Sequence, residues 1–182
     1  MKKIAGLSSL LSGLLPLVVI LLLSFLTKDY LLFRDYVSVL GVKEFAGLFN
    51  FTLIVSGFLI IPFGLYIHKV VRKFYIPLLF AAVIASLIGI GIFPMSIEPW
   101  HEIFSSLFFL FVFILILVIG LKTKLGLFSK IAVVIGILGL LGDAAHIVLN
   151  FNPVIEAIQV FMITLWLIYC GIDSIKGGFG AD

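Results

Sequence analysis

The sequence predicts an all-α, polytopic integral membrane protein: one bundle of six transmembrane helices with both termini in the cytoplasm. Three observations carry this. Hydrophobic residues fill 63% of the 182 positions and charged ones 12%, with a mean hydropathy of +1.37, whereas a soluble domain carries about 25% charged residues. The apolar residues fall into six runs near the roughly 20 residues that cross a bilayer as a helix, without the period-2 alternation of barrel strands. Lys and Arg divide unequally between the two sets of loops, which sets the orientation.

Residues 1–182 are expected to form a single transmembrane domain with spans at about 4–26, 45–67, 75–94, 101–121, 131–149 and 155–175. Met1-Lys2-Lys3 and the run to Leu26 imitate a signal peptide. The run suits a span rather than a short h-region, and no small-x-small cleavage site follows. Pro16 lies inside this span, where proline removes a backbone donor. The connection from 27 to 44 mixes Lys28, Asp29, Arg34, Asp35, Lys43 and Glu44 with Tyr30, Phe33 and Tyr36. Such an amphipathic stretch is expected to lie at the interface as a short surface helix.

Asn50, Thr52 and Ser56 mark the early turns of the second span, and His68 to Lys73 a basic turn after it. Gly89 and Gly91 end the third span and allow close helix approach. The loop Ser96–Trp100 leads into the fourth span. Lys122, Lys124 and Lys130 flank the next loop, Asp143 and His146 lie in the fifth span, and a tight turn over 150–153 precedes the sixth.

With alternating spans, one side holds Lys2, Lys3, Lys69, Arg72, Lys73, Lys122, Lys124, Lys130 and Lys176, against Lys28, Arg34 and Lys43 on the other. The larger set belongs to the cytoplasm. The same rule accounts for the pI near 9.0. The basic residues are too scattered for a nucleic-acid surface. Cys170 is the one cysteine, which excludes an intrachain disulfide and a cysteine-rich metal site.

Depth along each helix, at about 1.5 Å per residue, sorts the polar groups to one end. Asn50, His101, Ser105, Asp143, His146, Asn150, Glu156 and Gln159 all fall in the outer half, with Glu98 and Glu102 at the mouth. The inner half holds only weakly polar groups until Asp173. His101 and Ser105 are four apart and share a helix face; Asp143 and His146 are three apart, and Asn150 follows by four. The expected pocket is built by the second, fourth, fifth and sixth spans. Asp143, about 10 Å below its helix end, costs about 2.5–3.5 kcal/mol on insertion scales. A partner cation, a metal, a water-filled cavity or protonation must offset that.

Several chemistries fit this cluster. His101, Asp143 and His146 are a three-ligand set for a zinc-like metal with an open water position, with Ser105 assisting in lipid hydrolysis or transfer. Lipid hydrolases of the alkaline ceramidase and adiponectin receptor superfamily use the same residue types, but with seven helices and a histidine pair that this chain lacks. His101 and His146 can instead serve as two axial haem ligands. Ser105, a histidine and Asp143 are the members of a triad. The rival to the leading reading, a lipid-interacting metal-dependent hydrolase or transferase, is a non-catalytic lipid head-group pocket or an accessory subunit of a membrane complex or homo-oligomer. The plainer readings are a buried Asp–His hydrogen bond, small residues for packing at Ser105 and Ser106, solvated charges at Glu98 and Glu102, and aromatic-belt anchors at Tyr36 and Trp100.

Gly91-Ile-Phe-Pro94 followed by His101-x-x-x-Ser105 resembles a family of prokaryotic six-helix membrane proteins known as domain of unknown function nine hundred ninety-eight. The loop is also similar to that of Frag1 and DRAM type membrane proteins. The resemblance spans nearly the whole chain in helix count and length. It marks Pro94, His101, Ser105, Asp143 and His146, and it implies a fold and a site without an activity.

Overall fold

A computed structural model describes residues 1–123, 126–149 and 152–176. Seven α-helices follow one another: α1 (Lys2–Leu26), α2 (Ala46–Leu59), α3 (Ile61–Val71), α4 (Tyr75–Ile92), α5 (Trp100–Lys122), α6 (Leu127–Val148) and α7 (Pro153–Lys176). Helices α2 and α3 together make one span, so six helical segments are long and apolar enough to cross a membrane. The protein is therefore an all-helical, multi-pass membrane protein.

The break inside the second span has a local cause. Pro62 lies in the first turn of α3 and has no N–H to return to the Phe58 carbonyl. Ser8 of α1 donates its hydroxyl to the Leu59 carbonyl beside the break. Satisfying backbone groups internally is compulsory where no water is at hand. The fifth span begins at Leu127 rather than residue 131, because Ser129 and Lys130 sit comfortably in the first turn of a helix whose later residues are apolar.

Neighbouring helices follow the order α7, α1, α2–α3, α4, α5, α6. The seam between α1 and α7 is the most extensive. Gly6, Ser9 and Gly13 share one face of α1, at the i, i+3, i+7 spacing, and meet Gly171, Leu167 and Thr164 of α7. Ser9 Oγ donates to the Leu167 carbonyl at 2.8 Å. With no hydrophobic force between helices in lipid, close backbone approach at small residues holds such seams. Helix α6 is peripheral: 17% of its apolar window is buried, against 39–44% in the other five spans. It lies mainly along α5 and meets α7 more sparingly.

Two buried clusters fill the bundle. In the first, Phe63 packs edge-to-face on Phe80 and Trp166, with centroids 6.2 and 6.3 Å apart. The second gathers Val19, Ile20, Leu23, Phe49 and Ala157 around Tyr30, Val37 and Leu40 of the first connection. That connection corrects the expected surface helix. It holds a 3₁₀ turn, Val37–Gly41, rather than an α-helix, and its apolar side chains enter the core. Charged neighbours Arg34 and Asp35 stay at the surface, where they pair at 2.7 Å.

The α1–α7 seam generates a prediction. A Cβ at Gly171 would lie 2.6 Å from the Leu10 amide nitrogen and 2.7 Å from the Gly6 carbonyl oxygen. Neither is a side chain that can turn away. Gly171→Val should cost at least the roughly 1–3 kcal/mol of an overpacked core, measured as a lowered Tm in detergent. Gly47→Ala, whose Cβ would meet nothing within 4 Å, should leave Tm unchanged or raise it.

Candidate functional site

The bundle contains a cavity of about 110 Å³ that is partly open to its surroundings. Its walls come from α1, α2, α4, α5 and α7, and its roof from Val37 and Ser38 of the 3₁₀ turn. Phe80, Val83, Leu87, Phe108, Val112 and Ile163 make the walls apolar. Helix α7 lines it from Glu156 to Trp166, about 15 Å at 1.5 Å per residue, so the cavity is long and narrow. Halfway down, Thr164 donates to the Val160 and Phe161 carbonyls and Ser12 to the Ser9 carbonyl. Those hydroxyls are spent on their own helices. At the roof end stand Ser38, Ser105 and Glu156.

Glu156 organises that end. Its Oε2 accepts the Val37 N–H at 2.8 Å and its Oε1 the Ser38 N–H at 3.3 Å. These are leading amides of the 3₁₀ turn, whose N-cap residue, Tyr36, supplies no side-chain cap. Helix starts leave such donors orphaned, and a carboxylate bonded to them makes a strong charge-assisted pair. Asn50 of α2 holds the other end, its Nδ2 donating to the Gly41 carbonyl at 3.0 Å. The neighbouring phenols respond. Burial first, then the charge on Glu156, pushes Tyr30 up to about 12, and the same two causes raise Tyr36.

His101 and Ser105 meet as their spacing predicts. His101 is 7% exposed. Its Nδ1 lies 2.9 Å from the Phe93 carbonyl oxygen and its Nε2 3.4 Å from Ser105 Oγ. A carbonyl only accepts, so the Nδ1 carries the proton. In the neutral ring Nε2 then presents a lone pair to the Ser105 hydroxyl. Phe93 is fixed by stacking on Phe104, at 5.4 Å and 5°, and against Trp100 at 5.9 Å.

Asp143 and His146 lie elsewhere. Gln159, 3% exposed on α7, donates Nε2 to Asp143 Oδ1 at 2.6 Å and to the Gly139 carbonyl at 3.1 Å. The second oxygen, Oδ2, is buried without a hydrogen bond among the described residues. His146 packs edge-to-face on Tyr36, with centroids 6.5 Å apart. The residue types suited metal, but no three His, Cys, Asp or Glu side chains among the described residues are grouped to hold a metal ion. The expected ligand set His101, Asp143, His146 is therefore not assembled. The physical reason is rotation: the polar face of α6 turns toward α7 and the first connection, not toward His101. For the same reason α6 contributes nothing to the cavity, which corrects the expectation that the fifth span lines it. Glu98 and Glu102 are exposed and also stand outside the lining. Asn150 lies outside the described residues.

Sequence reasoning missed Ser38, the Phe93 carbonyl and the capping role of Glu156. A backbone acceptor carries no residue signature. The Glu156 contact joins positions more than a hundred apart.

The family model described as "Protein of unknown function (DUF998)" matches residues 10–173. The chain belongs to this family. The match runs from the first span to the end of the sixth and includes every cavity-lining residue named above. No curated protein and no solved structure matches the chain.

Two variants test the geometry. Glu156→Ala strands two amides, so hydrogen exchange across residues 36–41 should rise at least about tenfold, the equivalent of roughly 1.4 kcal/mol. Glu156→Gln, keeping one acceptor oxygen, should lie between. Gln159→Leu leaves Asp143 without its donor and should lower stability by about 1–3 kcal/mol, read as Tm in detergent.

Proposed function

We propose that this membrane protein binds one amphiphilic lipid molecule, part of it apolar and held in the central cavity, its polar group under the roof at Glu156, Ser38 and Ser105. The supporting observation is the make-up of the lining: mainly apolar walls along about 15 Å of helix, with Glu156, Ser38 and Ser105 at the roof and the hydroxyls of Ser12, Ser56 and Thr164 further along, that of Ser56 buried without a hydrogen bond among the described residues. An apolar cavity of about 150 Å³ stays dry and takes up benzene, so 110 Å³ suits one slender hydrocarbon segment or ring. Van der Waals contact with the walls holds that segment, since a lipid arriving from the bilayer leaves no water behind.

The polar end selects by charge. Glu156 is the acidic side chain of the lining, and among the described residues no Lys or Arg lines the cavity. A phosphate there would face a carboxylate with no cation in between, which costs Coulomb energy in a medium of low dielectric. A neutral polar group, such as an ester or hydroxyl, avoids the cost and can use the Ser38 and Ser105 hydroxyls. The ligand class is thus a neutral lipid. The excess of Lys and Arg at the opposite end of the bundle supports a roof that faces outward.

Trp166, 3% exposed and lining the cavity, serves as the reporter once Trp100→Phe removes the other indole. A monoacylglycerol brominated on its chain should quench Trp166 saturably. Val83→Phe, which fills the cavity, should weaken that quenching at least tenfold while the helical circular dichroism is kept. Quenching that grows linearly with lipid and survives Val83→Phe would show contact from the bilayer instead.

A further inference from the structure

We propose that Ser105 and His101 form a nucleophile–base pair that hydrolyses a carboxylic ester of the lipid held in the cavity, without a metal. The inference rests on the cavity being a lipid site and names what happens there. Four observations carry it. Ser105 lines the cavity. Its Oγ faces His101 Nε2 at 3.4 Å, a spacing that lengthens in unliganded sites and closes when substrate arrives. The Nδ1–H of His101 is held at 2.9 Å by the Phe93 carbonyl. That bond sets the tautomer in which Nε2 is the base, the role a third group plays in any such triad. Finally, Phe93 is locked between Trp100 and Phe104, so the orienting carbonyl is itself fixed.

The steps balance. Ser105 Oγ attacks the ester carbonyl carbon as its proton passes to His101 Nε2. The C–O bond to the alcohol breaks, and the alcohol oxygen takes the proton from Nε2. Water then gives a proton to Nε2 and attacks the acyl carbon on Ser105. The serine oxygen leaves and regains that proton. Ester and water become carboxylic acid and alcohol, with the protein unchanged. The narrow apolar walls accept the acyl segment, and a cavity of about 110 Å³ favours a short acyl group. Asp143 has no part in this, being bonded to Gln159.

The test uses the full chain in detergent with a fluorophosphonate probe, peptide mass spectrometry, and p-nitrophenyl butyrate as substrate. The expected result is one phosphonyl group per chain on Ser105, none with Ser105→Ala, and labelling slowed at least about 100-fold with His101→Gln, the loss expected when a general base is removed. Butyrate-ester kcat should fall with His101→Gln while KM is kept. Trp166 quenching by the brominated lipid should persist in His101→Gln, which also shows that this variant folds, and unchanged helical circular dichroism shows the same for Ser105→Ala. Quenching without labelling, or labelling equally fast in His101→Gln, would overturn the hydrolytic pair and leave the lipid site standing. Loss of quenching in the unaltered protein would overturn the lipid site, and the hydrolysis with it.

Discussion

The Glu156 carboxylate and the two amides it receives are the contact on which the roof end of this bundle depends. A carboxylate near the start of a membrane helix is costly to desolvate, and unpaired amides of a buried turn are costly for the same reason. Each removes the penalty of the other. The bond draws the first connection down onto α7, where Tyr30, Val37 and Leu40 join Phe49 and Ala157 in one core cluster. It also closes the cavity, because the turn that Glu156 caps is its roof. One ion–amide contact thus serves stability and site at once.

The rest of the bundle divides into a rigid part and a looser one. Helices α1 and α7 are pressed together at Gly6, Gly13 and Gly171, and the aromatic cluster of Phe63, Phe80 and Trp166 contributes two of its members, Phe80 and Trp166, to the cavity wall. Helix α6 stands outside this core. It is tied to α7 through Gln159, which reaches both Asp143 and the Gly139 carbonyl. In hydrocarbon an interhelical hydrogen bond of this kind contributes of order 1 kcal/mol, modest beside the α1–α7 seam. The polar residues of the roof half therefore fall into separate groups: Glu156 with the roof, His101 with Ser105, and Asp143 with Gln159.

Much of this was legible beforehand, for definable reasons. Hydropathy depends on composition alone, so six spans could be counted, and depth along each helix sorted the polar groups to one end. The His101–Ser105 pair lies within one helix, where periodicity settles who meets whom. Contacts between helices were another matter. Asp143 and His146 do share a face, but periodicity does not say which neighbour that face meets. Gln159 and Tyr36 occupy the places assigned to His101 and a metal. The first connection misled because its charges pointed to a surface helix. Lys28, Arg34 and Asp35 do face water, yet the alternate apolar residues Tyr30, Val37 and Leu40 are drawn inward by a carboxylate from α7. The Pro62 break in the second span follows from the missing proline N–H, a local signal set inside a long apolar run.

The most direct test of the lipid cavity is an electron cryomicroscopy map of the protein in nanodiscs made from its own membrane, with a binding fragment to give the particle mass. The account predicts one continuous non-protein density inside the bundle, running from beneath Ser38 and Glu156 toward Trp166, with its widest part at the Ser105 end. A cavity that is empty, or closed by Phe80, Leu87 and Phe108 moving together, with lipid density confined to the outer faces of the helices, would contradict it.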